Sequence, residues 1–173
     1  MFAPANAKSR KKLESRVSLF EDSRYEHRDT FFVHFQNENR PTGKEVKASI
    51  EKLGDKYELS DLRENDGKFE SLTIRSPHDS AAMDITYVQG EEVTEQIKDL
   101  MGEFRTITLS GDDHQKLKAL SECNARYDIF HFEEKADSSG EGMLDPGGLL
   151  LVLERLANTC QGVGLDPQSN TLL

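Results

Sequence analysis

The stretch that decides the fold is residues 57–88, "YELSDLRENDGKFESLTIRSPHDSAAMDITYV". Asp66 and Gly67 stand between two runs rich in apolar and β-branched residues, which is the strongest short-range signal of a β-hairpin. A second turn is indicated at residues 77–80, and apolar and polar side chains alternate over residues 81–88. The sequence therefore predicts a β-meander with strands at about 57–64, 69–76 and 81–88.

A strand and a helix precede the meander. Residues 30–36, "TFFVHFQ", carry apolar side chains on both alternating faces, as a central strand does. Thr42 stands three residues before Glu45 in the pattern of a capping box, which marks a helix start. The apolar stripe of this helix consists of Val46, Ile50 and Leu53. We predict that the helix ends at Gly54.

Further helices and strands follow the meander. Apolar periodicity predicts helices at 91–104, 110–124 and about 147–160. The composition of two shorter runs predicts strands at 105–109 and 125–134. A polar linker is expected at 135–143, and Gly162 is expected to terminate the last helix.

Together these elements predict an α+β fold with a mixed, largely antiparallel sheet built on the β-meander. The helices are expected mainly on one face of the sheet, and an amphipathic helix is expected at the N-terminus. Residues 27–161 would form a single domain. A basic arm of residues 1–26 and a tail of residues 162–173, which has no periodic pattern, would flank it.

A Gly-Gly pair stands at the entrance of the last helix, in "LDPGG", residues 144–148. Asp145 suits the N-cap and Pro146 the first helical position, so that both glycines fall in the first turn. Unpaired amides at a helix start can also bind phosphate. The spacings GxxxxGK[ST] and GxGxxG are both absent from the sequence, so we predict a structural helix start.

Charge divides the chain into a basic arm and an acidic body. Residues 1–24 carry six basic and three acidic residues, so the remainder stands near −13, since the whole chain is formally −10. An acidic body repels nucleic acid and anionic membranes. The polyanion contact that we predict is therefore confined to the arm, at Lys8, Arg10, Lys11, Lys12 and Arg16.

The sequence also predicts the compartment. It contains no apolar run long enough for a signal peptide or a membrane helix. Cys123 and Cys160 have neither a zinc-binding nor a redox spacing. We predict a cytoplasmic protein with reduced thiols and with neither a cofactor nor a metal.

Two apolar surfaces are candidates for contact with a protein partner. Leu13, Val17 and Phe20 recur at helical spacing from about Ser9 to Tyr25, and such a stripe docks on its own domain or on a partner. In the last helix Leu150, Leu151 and Val152 make the first turns apolar all round. Either neighbouring elements cover these three residues, or a second subunit does.

The candidate catalytic residues are two strand histidines and nearby carboxylates. If the strands at 30–36 and 125–134 are neighbours in matched register, His34 and His131 could share a face with Glu133 and Gln36. Asp84 would then lie nearby on the meander. The alternative is that the histidines are half-exposed and bonded by backbone or water.

We therefore expect a non-catalytic protein-binding or regulatory module, with self-association as one form of that binding. No motif of a known catalytic class is present. The second hypothesis is a small-molecule binder or an enzyme with a polar sheet face around His34 and His131. The third is nucleic-acid contact through the arm.

Overall fold

The computed structural model describes residues 18–135 and 147–173 of the chain. Within them, seven strands form one sheet, and four α-helices pack against it. The strands are β1 (Tyr25–Phe35), β2 (Glu58–Asn65), β3 (Lys68–Ser76), β4 (Ala81–Gln89), β5 (Ala125–Glu134), β6 (Val163–Asp166) and β7 (Thr171–Leu172). The helices are α1 (Gly43–Glu51), α2 (Glu91–Phe104), α3 (Gly111–Ser121) and α4 (Gly147–Cys160).

The strand order is β2-β3-β4-β5-β1-β6-β7, and every neighbouring pair is antiparallel. The predicted α+β class and antiparallel sheet are thus confirmed. The meander β2-β3-β4 is confirmed as well, and β5 continues it. Asp66 and Gly67 have φ values of 51° and 72°, as expected of the two-residue turn that matches the twist of a hairpin.

One sheet face packs against α1 and α4, and we call it the α1/α4 face. Val46 and Ile50 of α1 are fully buried on it. The capping box of Thr42 and Glu45 forms as predicted and begins α1 at the position that presents these residues. The fully buried residues that the strands contribute include Val33, Phe35, Ile74, Tyr127 and Ile129. This face is the main apolar core.

The opposite face, which we call the α2/α3 face, packs against α2 and α3. Val93, Ile97 and Phe104 of α2 form a second cluster with Leu165 of β6. The sequence predicted helices mainly on one face, whereas two helices lie on each. The sheet permits this because β1 carries large apolar side chains on both faces, with Phe32 turned to α2 and α3 and its neighbour Val33 turned the other way.

Residues 162–173 are part of the sheet, so the prediction of a tail without regular structure is wrong. β6 pairs with β1 through His34 and Val163, and β7 pairs with β6. The Schellman motif that was predicted at the end of α4 is present, but Gln161 and not Gly162 has the positive φ, of 53°. A Cβ at Gly162 would lie 2.4 Å from the carbonyl oxygen of His34, so glycine allows this close approach.

Two further predictions of secondary structure are wrong. Residues 105–109 form no strand, because Thr106 and Ile107 continue the end of α2 as turns through bonds to the carbonyls of Glu103 and Phe104. The predicted helix from about Ser9 does not reach Tyr25. Residues 19–24 consist mainly of turns, and β1 begins at Tyr25.

The two edge strands of the sheet are poor templates for pairing with another chain. β2 has exposed charged residues and shifts in register near Asp61, whose φ is 61°. β7 is two residues long. Bulged, charged and very short edges hinder edge-to-edge association. In the described part of the chain, no helix is long and apolar enough to cross a membrane.

Candidate functional site

The two predicted histidines do not share a sheet face, so the shared polar face on which the predicted site depends does not form. His34 pairs with Arg126, whereas His131 lies five positions further along β5 and pairs with Asp29. Side chains alternate along a strand, so an odd offset without a bulge in β5 places the two histidines on opposite faces. His34 lies on the α2/α3 face and His131 on the α1/α4 face.

The two carboxylates are separated in the same way. Glu133 shares the face of His131 and accepts a hydrogen bond of 2.7 Å from Nε of Arg28. Asp84 lies on the face of His34 but pairs with Phe130, four positions along β5 from the partner of His34. Four positions along a strand correspond to about 13 Å. His34 therefore forms no acid/base pair with either carboxylate.

His34 is fully buried between β1 and α2. Its Nε2 donates to Oε1 of Gln96 at 2.9 Å, and the same oxygen accepts from Nη1 of Arg126 at 2.8 Å. The Nδ1 atom has no hydrogen-bond partner in the described residues. Burial lowers the pKa of His34 from 6.5 to about 4, so the ring is neutral at pH 7. The neutral, buried ring of His34 therefore links β1 to α2 through its hydrogen bond to Gln96.

Arg126 is the centre of this network. Its side chain is 6% exposed and binds Asp128 through Nε at 2.6 Å and Glu92 through Nη2 at 2.8 Å. The guanidinium group also lies 4.9 Å from the ring centre of Phe32. A buried cation needs such partners, since an unpaired charge in the interior is costly. Arg126 therefore fixes α2 on the sheet.

The sequence alone did not identify Arg126. The available signal was a basic residue in a strand predicted to be buried, with Asp128 two positions later and hence on the same face. A buried arginine with a carboxylate at that spacing predicts an ion pair.

His131 lies in a different setting. It is 7% exposed, and its Nδ1 stands 3.8 Å from Oδ2 of Asp29, which exceeds hydrogen-bond distance. Burial lowers its pKa, although Asp29 and Glu133 act in the opposite direction.

The side chains of Tyr57 and Asp79 pack against Gly148 at the start of α4. The hydroxyl of Tyr57 donates to the carbonyl of Gly148 at 3.2 Å. A Cβ at Gly148 would lie 3.1 Å from that hydroxyl and 3.3 Å from Oδ2 of Asp79, which Ser76 and Lys56 bind. A carboxylate at a helix start satisfies the helix dipole and repels another anion. This geometry supports the structural interpretation. Asp145 and Pro146 lie outside the described residues.

An open groove lies on the part of the α2/α3 face that α2 and α3 leave uncovered. We call it the sheet trough, and its volume is about 340 Å³. Its floor consists of Ser71, Thr73, Asp84, Thr86 and Phe130. Its rims are Ser18 and Phe20 on one side and Arg63 of β2 on the other.

The floor of the sheet trough is polar and its rim is aromatic. The Thr73 hydroxyl donates to Oδ1 of Asp84 at 2.6 Å. The ring of Phe20 lies edge-on to Phe130 and Phe132, with centroids 5.2 and 4.8 Å away, yet Phe20 is 57% exposed. An aromatic rim beside hydroxyl and carboxylate groups can receive a ligand that is partly apolar and partly polar.

The residues predicted to contact a partner differ in their exposure to solvent. Leu150 and Leu151 are each 44% exposed, whereas Val152 is fully buried in the main core. The prediction that Val152 contacts a partner is therefore wrong, because its side chain is buried in the core between α4 and the sheet. In the N-terminal stripe Phe20 is exposed and its neighbour Leu19 is buried. The other predicted arm residues lie outside the described residues, namely Leu13, Val17, Lys8, Arg10, Lys11, Lys12 and Arg16.

No metal-binding geometry is found in residues 18–135 and 147–173, where no three His, Cys, Asp or Glu side chains gather as ligands. Cys123 and Cys160 are free and buried, and burial raises their pKa to about 11 and about 12. Thiols in this state are poor nucleophiles. Comparison of the chain with models of known families, with curated proteins and with solved structures found no match.

Proposed function

We propose that this chain is a non-catalytic protein-binding module that receives a polypeptide segment of a partner in the sheet trough. The observation that carries the proposal is the groove on the part of the α2/α3 face that neither α2 nor α3 covers in residues 18–135 and 147–173. A sheet face in a folded domain is normally covered by another layer, and this one instead carries an aromatic rim with an exposed Phe20.

The shape of the sheet trough favours a polypeptide over a small molecule. Small-molecule sites are concave and bury most of the ligand, whereas residues 18–135 and 147–173 enclose the sheet trough only in part. A short segment lying across several strands would contact Phe20 and Phe130 with apolar side chains. The hydroxyls of Ser71 and Thr86 and the carboxylate of Asp84 would bind its polar groups.

The charge of this surface disfavours nucleic acid as the occupant. Its lining holds one carboxylate, Asp84, and one cation, Arg63, so it carries no excess of positive charge. A phosphate backbone binds where several basic side chains gather. An amphipathic segment suits this surface better. For the location we propose the cytoplasm, and the two free, buried cysteines support it.

The second contact surface that we propose is the exposed pair Leu150 and Leu151, through which two copies would associate. The pair lies in the first turns of α4. Light scattering on the full chain and on a Leu150→Glu/Leu151→Glu variant tests this contact. We expect a dimer for the full chain and a monomer for the variant. A monomer at all concentrations for both proteins would contradict it.

Selection from a library of random displayed peptides tests the sheet trough. The target is the full chain, and the matched variants are Thr86→Arg on the floor and Thr108→Arg on an exposed loop. We expect the selected peptides to lose at least about tenfold in affinity for Thr86→Arg and to keep their affinity for Thr108→Arg. Equal binding to the two variants, or no enrichment of any peptide, would overturn the proposal.

A further inference from the structure

We infer that the carboxylate of Asp29 in β1 exchanges partners with pH, binding Gln168 of the β6–β7 turn at neutral pH and His131 of β5 in acid. In the neutral state, Oδ1 of Asp29 accepts a hydrogen bond of 2.7 Å from Nε2 of Gln168. In the acidic state, Oδ2 of Asp29 would bind the protonated ring of His131, whose Nδ1 stands 3.8 Å from it. The fold thus contains a pH-sensitive contact.

A β-bulge in β1 places Asp29 against His131. His27 pairs with Phe132 and Asp29 with His131, so that Arg28 is an extra residue without a partner of its own in β5. The bulge interrupts the alternation of side chains along β1. His27 therefore contacts Phe132 on the α2/α3 face, whereas Asp29, two positions later, lies on the α1/α4 face with His131.

Four polar side chains meet at the bulge as two pairs, of which only one is closed. Nε of Arg28 donates to Oε2 of Glu133 at 2.7 Å. His131 lies two positions before Glu133 in β5 and shares its face. The Nδ1 atom of His131 is buried without a hydrogen-bond partner in the described residues, because Oδ2 of Asp29 lies beyond hydrogen-bond distance. A proton on His131 would supply the cation that the second pair lacks.

The surroundings of His131 set the pH range of the exchange. Burial has the largest influence and lowers the pKa of His131 below its usual value of 6.5. Asp29 and Glu133 act in the opposite direction, and His27 acts with burial. β4 places Met83, which carries no charge, opposite His131. The exchange is therefore expected below pH 6.5, where the two carboxylates favour the protonated ring.

The carboxylate is the group that moves. A charge-assisted hydrogen bond is about 2.7–2.9 Å long, so Oδ2 of Asp29 and Nδ1 of His131 must approach each other by about 1 Å. His131 is 7% exposed, whereas the side chain of Asp29 is 36% exposed and has only two side-chain torsions to change. A shift of the carboxylate by that distance stretches its 2.7 Å bond to Gln168 beyond hydrogen-bond distance.

The exchange would change the attachment of the β6–β7 hairpin at the edge of the sheet. β6 pairs with β1 at three positions, the outermost of which joins Phe32 to Leu165. The bond between Asp29 and Gln168 lies three positions further along both segments, where no ladder bonds join them. It therefore fixes the turn to β1 by side chains alone. Its loss in acid would loosen the turn, while β6 stays paired.

Nuclear magnetic resonance of the full chain between pH 7.5 and the onset of acid unfolding tests the exchange. The probes are the ring of His131 and the side-chain amide of Gln168. We expect both signals to titrate with the same midpoint. In Asp29→Asn, the midpoint of His131 should fall by at least about 0.5 pH unit, because the favourable charge is gone, and the Gln168 amide should no longer titrate. Glu38→Gln, which removes an exposed carboxylate elsewhere, should leave both midpoints unchanged.

A second variant measures the influence of residues 136–146, which lie outside the described residues and contain three carboxylates. It is Asp137→Asn/Glu141→Gln/Asp145→Asn. We expect the midpoint of His131 to change less in this variant than in Asp29→Asn. A larger fall than in Asp29→Asn would assign the partner of His131 to this segment and overturn the inference.

Three further results would overturn the exchange. If Asp29→Asn leaves the midpoint of His131 unchanged, Asp29 is not its partner. If the Gln168 amide keeps its position while the ring of His131 titrates, the β6–β7 turn is not coupled to this histidine. If the ring stays neutral until the chain unfolds, the folded protein has no acidic state of this contact.

Discussion

The two faces of the sheet bind their helices through different interactions. On the α1/α4 face, fully buried side chains such as Phe35, Tyr127 and Ile129 meet two helices in a largely apolar core. On the α2/α3 face, Arg126 and His34 hold α2 by charged and polar contacts, and among residues 18–135 and 147–173 the helices leave the sheet trough uncovered. Apolar burial thus stabilises the first face, whereas a buried polar network fixes a helix on the second.

Leu153→Ala is expected to have the largest effect, because it removes apolar contacts on the α1/α4 face. Leu153 is 2% exposed in α4, and such truncations reduce the free energy of unfolding by about 2–5 kcal/mol. Leu151→Ala, two positions away and 44% exposed, should cost less than about 1 kcal/mol. Urea unfolding measures both. Similar losses for the two variants would contradict the assignment of α4 to this core.

Arg126→Ala is expected to reduce the free energy of unfolding by about 3 kcal/mol, because it leaves the carboxylate of Asp128 without its cation and removes one of the two donors to Oε1 of Gln96. The control is Arg28→Ala, whose side chain is 45% exposed although it also binds a carboxylate, that of Glu133. We expect the control to cost less than about 1 kcal/mol by urea unfolding. If both substitutions cost the same, the polar network does not hold α2.

A pH dependence comes from His34. Its pKa is about 4 in the folded chain and 6.5 as a free side chain, so between these values the unfolded chain binds a proton that the folded chain excludes. The contribution of His34 to the free energy of unfolding is therefore fully present above pH 6.5 and is lost as the pH falls toward 4. Between pH 7 and pH 5 we expect a loss of about 2 kcal/mol.

The His34→Gln variant measures the contribution of His34 to this pH dependence. It should show a shallower decline of unfolding free energy over the same pH range, while His131→Gln reports the contribution of the other buried histidine. An unchanged slope in His34→Gln would show that His34 is not the group that titrates.

Gly162→Ala is expected to have the smallest effect of the four, about 1.5 kcal/mol. Its new methyl group would meet the carbonyl of His34, a backbone atom between two strand neighbours. Gly102→Ala in α2 meets nothing within 4 Å and should instead stabilise the chain by about 0.5–1 kcal/mol. Thermal unfolding compares the two, and a stabilising Gly162→Ala would contradict the close approach of β6 to β1.

Locally encoded features of the fold could be predicted from the sequence. The turn at Asp66 and Gly67, the capping box at Thr42 and the apolar face of α2 depend on neighbours within four residues. β6 could not be predicted, because a four-residue strand is stabilised by its pairing with β1, about 130 residues away. Residues 105–109 show the opposite error. Their composition is typical of a strand, but no neighbouring strand pairs with them, and they begin with turns.

The candidate site could be predicted only in part. Both histidines lie on strands that do pair, as expected, but their faces depend on the register, and one position reverses a side chain. The sheet trough depends on which strands the helices leave uncovered. That is a property of the assembled layers and not of any single segment.

The position of β1 in the sheet has a consequence for the order of folding. Thr30 pairs with Phe130 and His34 with Val163, so both neighbours of this strand come from about 100 to 130 residues later in the chain. Synthesis proceeds at about 5–20 residues per second, and "TFFVHF" must wait several seconds for β5. The nascent chain therefore exposes its most aromatic strand before its partners exist, and molecular chaperones that recognise apolar segments would find their target there.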